Sequence, residues 1–504
     1  MRQKMKISFE TDLREWMEEK RWTPSGLADH LGVQRQSVHN WISGTSIPNG
    51  EEVVLKLFAL GGDDLITFSD SEDRPNVPKK NAYFDVEGGH ELHGELTVPG
   101  AKNATLPMLC AALLTEDECI FRNVPEISDV ATLLEIFEYI GAEVSRDFAA
   151  RTVSVKAKDL SPDKLLECRK AKKMRATILM LGPLLARFNE VSIPLPGGCV
   201  IGARSNASHL DAFKTLGAFV DETPEKITVR FARPKYENNS VLFSEASVTA
   251  TENLALFCAG RDEAAELFFT AAETHVVATV RMLQQMGAKI TGVATHSLSI
   301  YGGKHLHGGE FVIPSDGLLV GTYALAATLA GGDLLIKNVC HRELLSFYGA
   351  FQRVGGQFKL LDNSLRVTTP KKLTALPKLQ TAIFPGFSTD LQSPFGVLLT
   401  QCEGESMIFE TLFENRLTYL QELEKMGATI HQMNPHQARI VGPTPLRGAT
   451  VQSWDLRAGA AMVLAGLAAE GKTRVSNVQY INRGYEKFPE NLEALGAVVK
   501  RVEE

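Results

Sequence analysis

Cys199 stands in the stretch Leu195-Pro-Gly-Gly-Cys-Val-Ile-Gly-Ala-Arg204, among glycines 197, 198 and 202 and five residues before an arginine. Glycine lets a backbone approach a ligand closely, at an entropic cost that ordinary loops avoid. A cation such as Arg204 lowers a thiol's pKa and can also hold an anionic substrate. The plainer alternative is a glycine-rich turn around a buried, inert cysteine, since free cysteine is often buried.

Polar and charged residues recur in loops at which helices are expected to begin. These loops are Pro99-Gly-Ala-Lys-Asn103, Lys172-Lys-Met-Arg175, Ser247-Val-Thr-Ala-Thr-Glu-Asn253, Pro314-Ser-Asp316, Phe387-Ser-Thr-Asp390 and Trp454-Asp-Leu-Arg457. Three further arginines, Arg204, Arg416 and Arg483, are expected to open second helices. Backbone N–H groups and the helix dipole at such termini favour anions. Taken singly, each arginine reads as a surface or capping residue. Together, Lys102, Arg175, Arg204, Arg416, Arg457 and Arg483 read as the wall of a site for phosphate and carboxylate.

A repeat positions these loops. A Gly-Ala or Gly-Gly pair closes an amphipathic stretch six times, with its first glycine at 141, 217, 287, 355, 427 and 496, at spacings of 76, 70, 68, 72 and 69 residues. Self-similarity at a steady period marks a repeated architecture. Each glycine suits the position just after a helix, where a left-handed backbone is needed, and a β-branched or aromatic strand follows. Six α/β repeats are therefore expected from Tyr83 onward.

The 504 residues exceed one compact core, so two or three domains are expected. Hydrophobic content of 44% with 22% charged residues describes a soluble globular chain. No signal-type segment and no 18-residue apolar run occurs, so a cytoplasmic protein with no membrane partner is expected. The cysteines number 7, are scattered and never form Cys-x-x-Cys, which argues against a disulfide framework or a zinc site. A net charge of −7 gives no general reason to expect nucleic acid binding.

The first 68 residues read as a small all-α domain. Thr23 to Val33 followed by Arg35-Gln-Ser-Val-His-Asn-Trp41, with a glycine turn at Gly32, matches a helix-turn-helix. With Trp41-Ile-Ser-Gly44 and Ile47-Pro48, the stretch resembles the repressor-like helix-turn-helix family. That resemblance puts Arg35, Gln36, Ser37, His39 and Asn40 on or beside the recognition helix and makes DNA a candidate partner. Residues 1–66 hold eight Lys/Arg against ten Asp/Glu, a net of −2 that is poor for phosphate contacts. A protein-interaction or vestigial role is the alternative. Ser69 to Asn81 is polar and proline-bearing and reads as a linker.

Pro99 to Asn103, Leu195 to Arg204, Ser247 to Asn253, Phe387-Ser-Thr-Asp-Leu-Gln392, Asp455-Leu-Arg457 and Arg483-Gly-Tyr-Glu486 carry a further resemblance. In order and spacing, from about residue 82 to the end, they resemble UDP-N-acetylglucosamine 1-carboxyvinyltransferases of the enolpyruvyl transferase family. The resemblance implies an α/β fold of two lobes, an inside-out α/β barrel of six βαβαββ repeats. One lobe would combine 82–101 with 314–504, and the other, 102–313, would carry the Cys199 lid loop. It implies transfer of the enolpyruvyl group of phosphoenolpyruvate to the 3′-hydroxyl of UDP-N-acetylglucosamine, the first committed step of peptidoglycan precursor synthesis, with no metal or other cofactor.

Carried onto this sequence, the family's roles make Lys102, Arg204 and Arg483 the phosphoenolpyruvate ligands, with Arg175, Arg416 and Arg457 in support. Asp390 takes the acceptor's proton, Cys199 protonates the methylene carbon, and Asn103, Ser247, Asp316 and Asp455 line the substrates. Shikimate enolpyruvyl transfer is the nearest competitor of the same fold, and Leu-Pro-Gly-Gly-Cys belongs to the amino-sugar branch. The chain departs from the family on the nucleotide side. Ser205-Asn206-Ala207-Ser208-His209 lacks the family's aspartate, and Thr249 replaces a glycine. Glu273-Thr274-His275 and Leu318-Leu319-Val320-Gly321 stand where the family has Arg-Glu-Pro-Glu and Ile-Glu-Thr-Gly. Two alternatives follow: the same reaction on another sugar nucleotide, and a ligand-sensing transcription regulator built on the transferase fold.

Overall fold

The computed structural model describes residues 7–9, 17, 23–31, 33–42, 66–68, 82–195, 206–231, 238–301 and 305–503. The chain divides into two units, Met1–Asn81 with Glu503–Glu504 and Ala82–Val502.

In the first unit, Pro24–Leu31 and Arg35–Ile42 form a helix pair. Gly26 N donates to the Thr23 hydroxyl at 3.1 Å at the start of the first helix, and Leu27, Ala28, Leu31 and Val38 are buried. The expectation of an all-α domain is corrected: Ile7–Phe9 pairs antiparallel with Ile66–Phe68, Ile7 opposite Phe68. A three-residue strand of alternating Ile-x-Phe type is too short for its periodicity to stand out from a helical background.

In the second unit the described strands form six sheets; five contain an antiparallel hairpin, and the sixth an antiparallel pair of strands from distant segments. All six repeat glycines have left-handed φ, from 92° at Gly355 to 111° at Gly287. Six interior helices are α1 (Lys102–Ala111), α2 (Leu181–Phe188), α3 (Val248–Ala259), α4 (Gly317–Ala330), α5 (Gln392–Thr400) and α6 (Leu456–Ala468). Their sequences are largely apolar, as in the Leu-Leu-Val-Gly-Thr-Tyr-Ala-Leu run of α4, and most of their residues are buried, with Phe188 at the end of α2 exposed. The helices that precede the repeat glycines, such as Ser128–Tyr139, carry one apolar stripe and one polar face.

The buried apolar residues form two cores, one spanning Ala104 to Ile313, the other joining Phe84–Val98 to Leu319–Val499. In the first, α3 packs on both α1 and α2; in the second, α4, α5 and α6 pack on one another. Two strands from early in the second unit complete sheets made by distant segments. Leu92–Thr97 pairs parallel with Gly332–Lys337, and Ala82–Glu87 pairs antiparallel with Lys472–Ser476. The chain passes between the cores twice, and the two passages lie side by side. Ala101 N donates to Pro314 O at 2.7 Å, and Asp316 N donates to Pro99 O at 3.0 Å. Among the described residues no helix is long and apolar enough to cross a membrane.

Candidate active site

The acids and hydroxyls predicted at helix starts cap them. Asp316 Oδ1 accepts from Leu318 N at 2.8 Å and Leu319 N at 3.1 Å at the start of α4. Asp455 Oδ1 does the same for Arg457 N at 2.7 Å and Ala458 N at 3.0 Å in α6, and the Ser247 hydroxyl accepts from Ala250 N at 3.4 Å in α3. Each satisfies N–H groups that a first turn leaves without a partner. Lys102 opens α1, Asn103 follows it, and Arg175 opens the 3₁₀ turn Arg175–Met180. Asp316 Oδ2 also accepts from Lys102 N at 3.4 Å, joining the two passages between the cores.

Two clusters of opposite charge result. Lys102 Nζ lies 2.6 Å from Asp129 Oδ2, and Arg483 Nε donates to Asp129 Oδ1 at 2.9 Å. Burial alone would raise the Asp129 pKa, but Lys102 and Arg483 outweigh it and hold the carboxyl below its ordinary value. In the second cluster Arg416 donates to Asp390 Oδ1 at 2.6 Å, and Arg457 Nε donates to Asp390 Oδ2 at 3.2 Å. Both guanidinium side chains are only 2% exposed, against 24% for Asp390. Burial opposes the Arg416 charge, yet Asp390 and Asp455 outweigh that and raise its pKa. Arg416 Nε and one terminal nitrogen of Arg457 are buried with no partner. Unpaired buried donors are expensive unless something else meets them. The Tyr485 ring lies 5.3 Å from the Arg457 guanidinium carbon, and its hydroxyl is 3.2 Å from the Thr322 hydroxyl.

Lys102, Arg483, Asp390, Arg416, Arg457 and Asp455 are thus joined into two charged clusters. Arg416 and Arg483 do not open helices as expected: they precede Tyr419–Lys425 and Phe488–Ala494 in irregular or 3₁₀ segments. Cys199 and Arg204 lie outside the described residues. Arg35, Gln36, Ser37, His39 and Asn40 all fall within the helix Arg35–Ile42 of the other unit, and the side chains of His39 and Asn40 lie outside the described ones.

On the side where the sequence departs from the family, the structure contains a closed network. His209 Nε2 is 3.0 Å from the Thr249 hydroxyl, and His209 Nδ1 is 3.0 Å from the Asn253 amide nitrogen. Asn253 Oδ1 accepts from Gly182 N at 2.6 Å, which orients the amide nitrogen toward His209. Phe384 N donates to Glu273 Oε1 at 3.4 Å, while Glu273 Oε2 is buried without a partner. Burial, with Asp316 nearby, pushes the Glu343 pKa up to about 7.

Sequence reasoning missed Asp129, Tyr485 and Glu343. Asp129 in the first turn of a helix looks like an ordinary helix-start acid, and only its lysine and arginine partners distinguish it.

The fold is that of enolpyruvyl transferases. The crystal structure of the enolpyruvyl transferase NikO from Streptomyces tendae is similar with a TM-score of 0.76 at 22% identity, over 84% of this chain and 100% of that one. An EPSP synthase structure from Acinetobacter baumannii gives a TM-score of 0.65 at 15% identity. Residues 86–492 match the family EPSP synthase (3-phosphoshikimate 1-carboxyvinyltransferase). The UDP-N-acetylglucosamine 1-carboxyvinyltransferase of Campylobacter fetus is 38% identical over 84% of this chain and 100% of its own length. That of Magnetococcus marinus is 40% identical over 83% and 98%. The chain belongs to the UDP-N-acetylglucosamine 1-carboxyvinyltransferase family of enolpyruvyl transferases.

Proposed function

We propose that the chain transfers the enolpyruvyl group of phosphoenolpyruvate to the 3′-hydroxyl of UDP-N-acetylglucosamine and releases phosphate. The observation that carries the reading is the Asp390 carboxylate held by two buried guanidiniums whose remaining donors include unpartnered ones. A substrate that carries both a carboxylate and a phosphate supplies oxygens for such donors, and charge-assisted bonds of this kind are strong. Lys102, Arg204 and Arg483 bind phosphoenolpyruvate and stabilise the leaving phosphate, with Arg175, Arg416 and Arg457 in support. Asn103, Ser247, Asp316 and Asp455 place the acceptor.

In the addition step the acceptor oxygen bonds to C2, Asp390 takes the hydroxyl proton and Cys199 gives a proton to C3. In the elimination step the C2–O bond to phosphate breaks as C3 loses a proton, which restores the double bond. The two guanidiniums hold both oxygens of Asp390. Anionic substrate competing for the same guanidiniums frees it to act.

The six sheets, two cores and paired passages favour a two-lobed architecture of six βαβαββ repeats, divided as 82–101 with 314–504 and 102–313. The helix pair Pro24–Leu31 and Arg35–Ile42 favours a helix-turn-helix role for the first unit, with DNA as its partner. The His209–Thr249 bond and Ala207 in place of an acid favour a second reading, transfer to a different sugar nucleotide.

Phosphate release from phosphoenolpyruvate, measured with and without UDP-N-acetylglucosamine, tests the reading. Release that depends on that acceptor is expected. Release with another sugar nucleotide only establishes the second reading, and none with any acceptor overturns both.

A further inference from the structure

The segment Asn482–Lys487, which carries Arg483, is fastened at two points to residues on the other core's side. One is the Asp129–Arg483 pair. The other is Glu486: its Oε1 accepts from Arg151 at 2.7 Å, and its Oε2 accepts from Arg151 at 2.8 Å and from Glu126 N at 2.9 Å. The Glu486 side chain is 8% exposed. Ser128 Oγ donates to Asn482 O at 3.3 Å, and Lys487 Nζ lies 2.9 Å from Glu126. Between the two fastenings Tyr485 turns inward to Arg457 and Thr322, so adjacent residues of one short segment bind to opposite sides.

Arg151 has a φ of +52°, a conformation that side-chain-bearing residues avoid. It lies in the hairpin between Glu143–Asp147 and Thr152–Lys156, where Arg151 N donates to Phe148 O at 3.1 Å and Val124 N donates to Arg151 O at 3.0 Å. A strained backbone persists where the surroundings over-determine it. Here the arginine gains a bidentate bond to a nearly buried carboxylate, the geometry in which guanidinium and carboxylate match best.

We propose that Arg151 and Glu486 form a positioning clip that sets Arg483 for phosphoenolpyruvate. Asp129 fixes the Arg483 head group while the clip fixes the backbone three residues on. Without the clip, Arg483 keeps its charge and loses its placement. Neither residue touches the reacting atoms in this account; both act through Arg483.

The proposal rests on the transferase reading, and its test separates the two. Steady-state phosphate release is measured on the full chain for Arg151→Gln, Arg151→Lys, Arg151→Gly and Glu486→Gln, varying each substrate in turn. The glycine variant removes the clip and relieves the backbone strain, which offsets part of the stability lost with the ion pair. Arg151→Gln, Arg151→Gly and Glu486→Gln are expected to lower kcat/KM for phosphoenolpyruvate by about ten- to a hundredfold, as misplacement of one catalytic group does. The acceptor's KM is expected to stay within about twofold, and Arg151→Lys to fall between wild type and Arg151→Gln. A phosphoenolpyruvate term unchanged in Arg151→Gly, or both substrates affected alike in step with a lowered Tm, overturns the clip. If the wild type releases no phosphate, the transferase reading fails instead. Calorimetric binding of phosphoenolpyruvate then reads the clip, with the same order of variants expected and an identical Kd in all of them overturning it.

Discussion

At the scale of single residues, the charges of the site are balanced by partners drawn from far along the chain, as Asp129 is by Lys102 and Arg483. Lys102, Arg416, Arg457 and Arg483 stood out in the sequence because cations recur beside helix starts. Their counter-charges did not: Asp129 and Arg483 lie 354 positions apart, and no local spacing joins them. His209 shows the same limit. In the sequence it is only the last residue of an altered loop, whereas in the structure its ring is wholly enclosed between Thr249 and Asn253. Asn253 donates to Nδ1, so the ring is neutral and Nε2 donates to Thr249. Burial, with the Arg175 charge adding to it, lowers the His209 pKa from 6.5 to about 3. Between those two values the unfolded chain binds a proton that the folded chain refuses. Stability contributed by His209 is therefore full above 6.5 and is lost as pH falls toward 3, by at most about 1.4 kcal/mol per pH unit. Glu343 acts in the opposite sense. Its folded pKa of about 7 exceeds the ordinary 4.5, so its contribution is lost as pH rises between them. His209→Gln is expected to flatten the acid side of a stability–pH curve from chemical denaturation while leaving the Glu343 limb in place. An acid limb of unchanged slope in that variant would show that His209 is protonated in the folded protein.

At the scale of elements, periodicity carried further. The six glycines were found by spacing, and each has the left-handed φ that a helix-ending turn requires. Strand partnership across the chain was out of reach. Nothing in Ala82–Glu87 announces pairing with Lys472–Ser476, because a strand's side-chain pattern reports its faces and not its neighbour's identity. The glycines also differ from one another in a way that spacing hides. A Cβ at Gly427, φ +97°, would meet nothing nearer than Pro445 O at 4.0 Å, whereas one at Gly141, φ +106°, would meet Asp159 O at 2.4 Å. Gly427→Ala is expected to lose about 1–2 kcal/mol, the conformational penalty alone. Gly141→Ala is expected to lose clearly more, since a backbone carbonyl must also move. Urea denaturation of both variants measures the difference, and equal losses would mean that the Gly141 turn relaxes freely.

At the scale of the whole molecule, the division of the chain decides which part performs the chemistry. The match to the Campylobacter fetus relative takes up 84% of this chain and all of that enzyme, so the remaining part of this chain has no counterpart in it. The two charged clusters, the network around His209 and the Arg151–Glu486 pair all lie within Ala82–Val502. The polar run Ser69–Asn81 shows no apolar pattern that a core would need, so its removal takes away little buried surface. A chain lacking residues 1–81 is therefore expected to keep kcat and both KM values within about twofold of the full chain, with a similar Tm. A collapse in turnover with an intact Tm would mean that the first unit shapes the active site. A collapse in both would make that unit part of the fold itself. Unchanged kinetics would confine its role to something other than handling the two substrates.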